Sequence, residues 1–425
     1  MKILWVTNQI IGQLAERKGI KAVTGQWLNA EINMEIKQNE NKLVVCTVGS
    51  ENVHYKDANV TYIVLGQGNL YNYYPDEKKI AEWKQVLETE NPDIILIWGT
   101  EYAIGLSVLL ANQGVRPTAI YIQGVMAAIY ESYRGGLSDN QIRRFTTIME
   151  RIRKNSVFDT EKVYEKRALV EKQMIELCDY IILENSWSEN IYTHINPKVK
   201  VLFARLPIRE EFSNFRWKKE SFHQHQIVTT AAGYPLKGIH QLIQAVSRIK
   251  IEYPDVVLMV PGNNMFVVKG IKNRIRQSGY HKYIKTLIKR NKLMNNVIFT
   301  GPLDSQEYAR LMMKSEIFIC ASAIENHCSS LREAMTVGVP CIASKVGGVP
   351  EYAIDGDNCL LYNYGDIDTL VSNIRDVFES IEIKKQLSKR GKEAMNYLYQ
   401  TNPLLSMQNI YDYILKERKC APVQR

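Results

Sequence analysis

Two glutamates eight positions apart, Glu325 and Glu333, stand in the segment SAIENHCSSLREAMTVGVPCIASKVGGVPEY that runs from Ser322 to Tyr352. A strand-like run, Glu316 to Ala321, precedes them, and a helix is expected to begin near Ser329 and to stop at Gly338, with Pro340 beyond it. A strand, a loop and a helix in that order set free N–H groups and the positive end of a helix dipole at the edge of a sheet, where phosphates bind. Glu325 then falls in the loop and Glu333 in the first helical turns. Carboxylates that act as a glycosidic acid/base pair must flank the sugar from two directions. Two residues on one loop and helix start approach from the same side, which suits holding vicinal hydroxyls of a ribose or sugar instead. A purely structural alternative stays open: Ser330 and Glu333 have the spacing of a capping box, in which Glu333 serves only the helix start.

Lys237, in AAGYPLKGIHQLIQAV, follows a strand-like run (Ile227 to Ala231) and precedes a helix expected from Ile239. An ammonium there reaches a diphosphate at the sheet edge, unless it is simply a solvated lysine. Thr24-Gly25-Gln26-Trp27 opens a helix after the first strand, and Gly347-Gly348-Val349-Pro350-Glu351 forms a tight loop after the glutamate pair. Each glycine stretch reads equally as a close approach to a ligand or as a plain turn.

The elements around these residues alternate. Strands are expected at Ile3–Thr7, Leu43–Val48, Val60–Leu65, Ile94–Trp98, Thr118–Gln123, Tyr180–Leu183 and Val199–Phe203. A second series follows at Ile227–Ala231, Val256–Val260, Val297–Thr300, Ile317–Ala321, Pro340–Ala343 and Cys359–Tyr362, with helical stretches such as Gly25–Lys37 and Lys78–Glu90 between strands. Strands alternating with helices predict parallel, doubly wound sheets. A chain of 425 residues exceeds one ordinary core, and two tandem sheets enclose a cleft. The expected domains are residues 1–206, 207–400 and a tail, 401–425, whose helix (Pro403 to Glu417) can cross back to the first domain.

Composition narrows the partners. A net charge of +9, from 54 basic against 45 acidic side chains, favours anionic ligands. The basic stretch Lys269–Lys292 has nine Lys or Arg and only Tyr280 and Tyr283 as aromatics, without a nucleic-acid motif, and reads as a solvated helical face. Gln141–Phe158 reads as one basic amphipathic helix. It has Ile142, Phe145, Ile148, Met149 and Ile152 on one arc and Arg143, Arg144, Arg151 and Lys154 largely opposite. That helix either docks on the first domain or rests on anionic lipid. The seven cysteines lack CxxC spacing and read as reduced thiols. The longest apolar stretch, Tyr102–Ala111, is shorter than the roughly 18 residues of a membrane span, and Met1–Thr7 reads as a strand, so no export signal is expected. No metal-ligand spacing, P-loop or GxSxG elbow is present.

Together these residues resemble the family 4 retaining glycosyltransferases, within the glycosyl transferases group 1, which have the GT-B fold of two Rossmann-like domains facing a cleft. Glu325 and Glu333 match the family's E-x7-E signature. Ala334-Met335 with Gly338-Val339-Pro340 matches its continuation, the 347–351 loop its GG.PE, Lys237-Gly238 its KG, and Phe299-Thr300-Gly301 its F.G turn. Gly25-Gln26-Trp27 is similar to its N-terminal glycine loop. The resemblance implies transfer of a sugar from a nucleotide diphosphate sugar, with retention and no metal or other cofactor. It places Glu325 on the transferred sugar and Lys237 on the diphosphate as catalytic residues, with Glu333 on the ribose. Ser329, Ser330, Asn326, Gly301 and Gly25 complete the donor site. Tyr234 stands where the family often has an arginine, Asn326-His327-Cys328-Ser329 replaces its G-F-G-L, and Gln123-Gly124 stands where a histidine is expected. The function so implied is cytoplasmic surface-polysaccharide synthesis on a glycan or lipid-linked acceptor, with peripheral contact to anionic membrane and no nucleic acid. The alternatives are a nucleotide-sugar epimerase of similar fold and a non-catalytic sugar-nucleotide-binding protein.

Overall fold

The computed structural model describes residues 1–20, 26–38, 40–230, 233–266, 270, 277–401 and 406–420. The chain divides into two compact units, one of Met1–Ala127, Glu165–Pro207 and Pro403–Arg425, the other of Ala128–Tyr164 and Ile208–Asn402.

The first unit is built on eight strands: β1 (Lys2–Val6), β2 (Lys42–Val48), β3 (Val53–Asp57), β4 (Val60–Leu65), β5 (Ile94–Trp98), β6 (Thr118–Tyr121), β7 (Tyr180–Leu183) and β8 (Lys200–Phe203). Their order is β3-β4-β2-β1-β5-β6-β7-β8. All pairs are parallel except β3 with β4. The central strands are apolar runs because helices cover both faces of a parallel sheet, and β5 is buried at every position. β3, absent from the sequence reading, is an edge strand whose residues alternate between half-buried and exposed, so its VHYKD lacks the apolar run that marks its neighbours. Trp5 meets Trp98 edge-on and Trp98 meets Tyr121 at a tilt, each at 4.9 Å between ring centroids in the core. The helix Met407–Cys420 adds Ile410, Tyr411 and Ile414 to this cluster. Its Tyr411 hydroxyl accepts from the Trp5 indole at 3.1 Å, so each of these two buried polar groups has a partner. Pro403 lies outside the described residues.

The second unit has six parallel strands: β9 (His223–Thr229), β10 (Val257–Pro261), β11 (Val297–Gly301), β12 (Ser315–Cys320), β13 (Cys341–Ser344) and β14 (Leu360–Tyr362). The order is β11-β10-β9-β12-β13-β14. The first strand lies centrally and the winding reverses between β9 and β12, the position where doubly wound sheets bind ligands at their carboxyl edge.

Residues 128–164, which the sequence reading leaves in the first domain, pack in the second unit, and they do not form one helix from 141 to 158. The helix Asp139–Phe145 ends at Thr146, and Ile148–Arg153 starts afresh with Thr147 as its cap in a reciprocal box with Glu150. Ile142 is fully buried in the second unit's core, Phe145 stacks on Tyr283 at 5.1 Å, and Glu150 Oε1 accepts from Gly279 N at 2.7 Å. Gly279 opens the helix Gly279–Arg290, so a single buried carboxylate completes the starts of two helices. Among the described residues no helix is long and apolar enough to cross a membrane.

Glu150→Ala strands the buried amide of Gly279 and removes one cap, each a loss of about 1 kcal/mol or more. Chemical denaturation is expected to show a loss of about 2 to 4 kcal/mol, and a loss under 1 kcal/mol would refute the double-cap role.

Candidate functional site

Lys237 and Glu325 sit on the connections that leave β9 and β12, the two strands at the reversal. Past β9 the chain makes a 3-10 turn, Pro235–Lys237, then Gly238 in the left-handed region (φ +66°), then the helix Ile239–Ile249. Gly238 serves twice. Its φ suits glycine, and any Cβ there would collide with the carbonyl oxygen of Ala321, just past β12. The close approach is closed by Ala323 N, which donates to Leu236 O at 2.7 Å. Lys237 Nζ thereby reaches Glu325 Oε1 at 2.5 Å, and Ser322 Oγ donates to the same oxygen at 2.6 Å. The double-glycine loop backs this arrangement: Gly347 (φ +53°) leaves no room for a Cβ against the Glu325 carbonyl, and Gly348 N donates to that carbonyl at 3.2 Å.

Burial alone would lower the pKa of Lys237, but the adjoining Glu325 carboxylate outweighs it and holds the ammonium above the ordinary lysine range. Lys237 therefore stays charged at any physiological pH.

Glu333 lies inside the helix Ser329–Val337, whose N-cap is Cys328. Ser330 is thus already helical, and Glu333 makes no capping box. Instead both its oxygens pair with Arg209, Nε to Oε1 at 2.7 Å and Nη2 to Oε2 at 2.9 Å, while Arg209 Nη1 reaches Ser305 Oγ at 3.0 Å. Burial pushes the Glu333 carboxyl up and the Arg209 guanidinium counteracts only part of that. A carboxylate has about four acceptor positions, so the fork fills two and leaves two for a diol. Arg209 escaped the sequence reading because it is one arginine in a polar connection, with nothing in its spacing to link it to a glutamate 124 residues on.

The remaining residues are spread along the same edge. Ser329 and Ser330 are the first two residues of the helix, with Ser329 exposed and its Oγ taking a hydrogen bond from Arg332 at 3.3 Å. Asn326 is buried in the Glu325 loop. Gly301 ends β11, at the edge of the sheet two strands from β9. Gly25 lies outside the described residues. The fold also brings together a group that spacing did not reveal: Cys320 and Cys328, at the two ends of the Glu325 loop, have sulfurs 3.5 Å apart, and both lie with Glu325 within 4.8 Å of one another.

The family Glycosyl transferases group 1 matches residues 211–394, a span that holds β9 to β14, Lys237 and both glutamates. N-acetyl-alpha-D-glucosaminyl L-malate synthase of Bacillus anthracis is 21% identical over 361 residues, covering 84% of each chain. Sucrose-phosphate synthase from Thermosynechococcus elongatus superposes with a TM-score of 0.67 at 16% identity, covering 99% of this chain and 97% of its own. HepE of Anabaena, solved in complex with UDP-glucose, gives 0.63 at 16% identity, covering 99% and 100%. The fold is GT-B, and within the second unit residues 211–394 match the Glycosyl transferases group 1 model.

Arg209→Ala leaves the Glu333 charge buried without its partner. Breaking a buried pair costs roughly 3 to 5 kcal/mol, and about 2 to 4 kcal/mol is expected here because Arg209 keeps 22% of its side chain exposed. Adding Glu333→Gln to that variant removes the stranded charge, so the double variant should melt above Arg209→Ala; a lower melting point would show that Arg209 acts through other contacts.

Proposed function

We propose that the chain is a retaining glycosyltransferase. It would move a sugar from a nucleoside diphosphate sugar to a glycan or lipid-linked acceptor in the synthesis of a surface polysaccharide, on the cytoplasmic side of a membrane. The observation that carries this reading is the meeting of Lys237 and Glu325 at the carboxyl edge of the group 1 domain, at the sheet reversal and next to a helix start. Support for the donor class comes from the GT-B neighbour whose structure holds UDP-glucose.

In this mechanism the bond between the sugar and the diphosphate breaks with its electron pair going to the phosphate oxygen, an acceptor hydroxyl oxygen bonds to the freed anomeric carbon, and the proton of that hydroxyl passes to the departing diphosphate. Negative charge grows there, and stabilisation of developing charge is the largest lever a fixed site has. Lys237, held charged by Glu325, supplies a compact cation. The amides at the start of Ser329–Val337 supply dipoles that need no reorganisation. Glu325 accepts hydroxyls of the transferred sugar, and Glu333 uses the acceptor positions that Arg209 leaves open for the ribose diol. Since lysine and amides furnish the counter-charge, this chemistry asks for no metal. Lys237→Ala should lower turnover by roughly 30- to 1,000-fold, the equivalent of about 2 to 4 kcal/mol, in protein that is still folded. Initial rates over a panel of nucleotide sugars test this, and near-normal turnover would remove the phosphate role.

The same reading includes contact with anionic lipid. On the helix Ile148–Arg153, Ile148 and Ile152 are 76% and 68% exposed and one turn apart. The exposed Arg143, Arg144, Arg151, Arg153 and Lys154 surround them. Each cation near an anionic surface contributes about 1 kcal/mol. The protein should sediment with phosphatidylserine-containing vesicles and not with neutral ones, and changing Arg143, Arg144 and Arg151 to Glu should abolish this without altering nucleotide binding. Equal sedimentation of the parent and the triple variant would overturn the contact.

A further inference from the structure

We propose that Cys320, Cys328 and Glu325 form a binding site for a thiophilic divalent cation such as Zn2+, and that its occupancy switches the neighbouring site off. The loop that carries Glu325 begins at the end of β12 and closes at the N-cap of Ser329–Val337, so its first and last anchors are the two cysteines. Their sulfurs are 3.5 Å apart. A tetrahedral ion with metal–sulfur bonds of about 2.3 Å needs sulfurs about 3.7 Å apart, so a few tenths of an ångström separate the thiol pair from ligand geometry. A carboxylate oxygen of Glu325 lies within 4.8 Å of both sulfurs. Two soft thiolates and one carboxylate oxygen, with a fourth position left to water, fit zinc, whereas Mg2+ and Ca2+ prefer six or more oxygens.

The surroundings favour retention and provide entry. Cys320 is fully buried and Cys328 nearly so, while Glu325 and Lys237 keep 14% and 23% of their side chains exposed and mark the path in. Ser322 Oγ, which donates to Glu325 Oε1 at 2.6 Å, fixes the carboxylate from outside the ligand set.

The consequence for the site follows from Glu325 Oε1. That oxygen already accepts from Lys237 and Ser322. A cation that claims the carboxylate takes acceptor positions away from sugar hydroxyls and pulls the group from Lys237. This consequence rests on the transfer reading, whereas ion binding does not.

The test uses the full-length protein, reduced and free of chelator, titrated with Co2+ as a spectroscopic probe and with Zn2+ and Mg2+. One Co2+ per chain should bind with a thiolate charge-transfer band, Zn2+ should displace it and Mg2+ should not. Cys328→Ser keeps a good N-cap residue and should lose the band and weaken Zn2+ by more than the roughly 10- to 100-fold that loss of an outer partner costs. Cys341→Ser, elsewhere in the same core, should retain both. Zn2+ should inhibit turnover of the parent at least tenfold, chelator should restore it, and Cys328→Ser should be insensitive. No thiolate band in folded parent protein, or an unchanged band in Cys328→Ser, overturns the site. A band with turnover indifferent to Zn2+ overturns the switch. Absence of turnover with every nucleotide sugar, metal-free, counts against the transfer reading and leaves the ion site to its spectrum.

Discussion

The contact between the Lys237 turn and the backbone just past β12 is the constraint on which the site depends. β9 and β12 are hydrogen-bonded neighbours from which the winding departs in opposite directions, so the chain segments leaving them would ordinarily diverge. Gly238 lets one segment fold back onto the Ala321 carbonyl, and the bond from Ala323 N to Leu236 O holds it there. With those two strand ends pinned, an ammonium and a carboxylate from positions 88 residues apart meet at 2.5 Å. A residue with a Cβ in place of Gly238 would push the turn outward and part the charges, even though Lys237 and Glu325 themselves were unchanged.

The two glutamates share a helix and its preceding loop but live in different electrostatic surroundings. Glu325 is bound to a flexible ammonium and a hydroxyl, both on one oxygen, in a position that keeps some contact with solvent. Glu333 is buried and held by both arms of a guanidinium. The fork fixes its plane, while burial pushes its proton affinity up against that fork. A carboxylate held on one oxygen by a point charge and a hydroxyl and one held on both oxygens in a fork differ in the acceptor positions they leave open.

Residues 128–164 show how burial decides membership where chain order does not. They follow β6 of the first unit, yet Ile142, Phe145 and Glu150 find their partners on the helix Gly279–Arg290 and its surroundings. The arginines that accompany these apolar residues stay outside because only the apolar side of Asp139–Phe145 is covered. Thr147 then resets the helical phase, so that Ile148 and Ile152 emerge on an exposed face instead of continuing the buried arc.

Local patterns in the sequence determined the strands other than the edge strand β3, the helix starting near Ser329 and stopping at Gly338, and the placing of Glu325 in a loop and Glu333 in a helix. Periodicity, caps and glycine stops act over a few residues and need no distant partner. The doubly wound class followed from the alternation of these elements, and the resemblance to a glycosyltransferase family from motifs within the same segments. Tertiary structure alone decided which cation meets which acid. Arg209 pairs with Glu333 across 124 positions, and the register of β9 beside β12 sets Lys237 on Glu325. It also decided that Glu333 is not a cap, that 128–164 joins the second unit, and that Cys320 and Cys328 touch. The pairing of Arg209 with Glu333, that of Lys237 with Glu325 and the docking of 128–164 are contacts between segments whose separation in sequence carries no periodic signal.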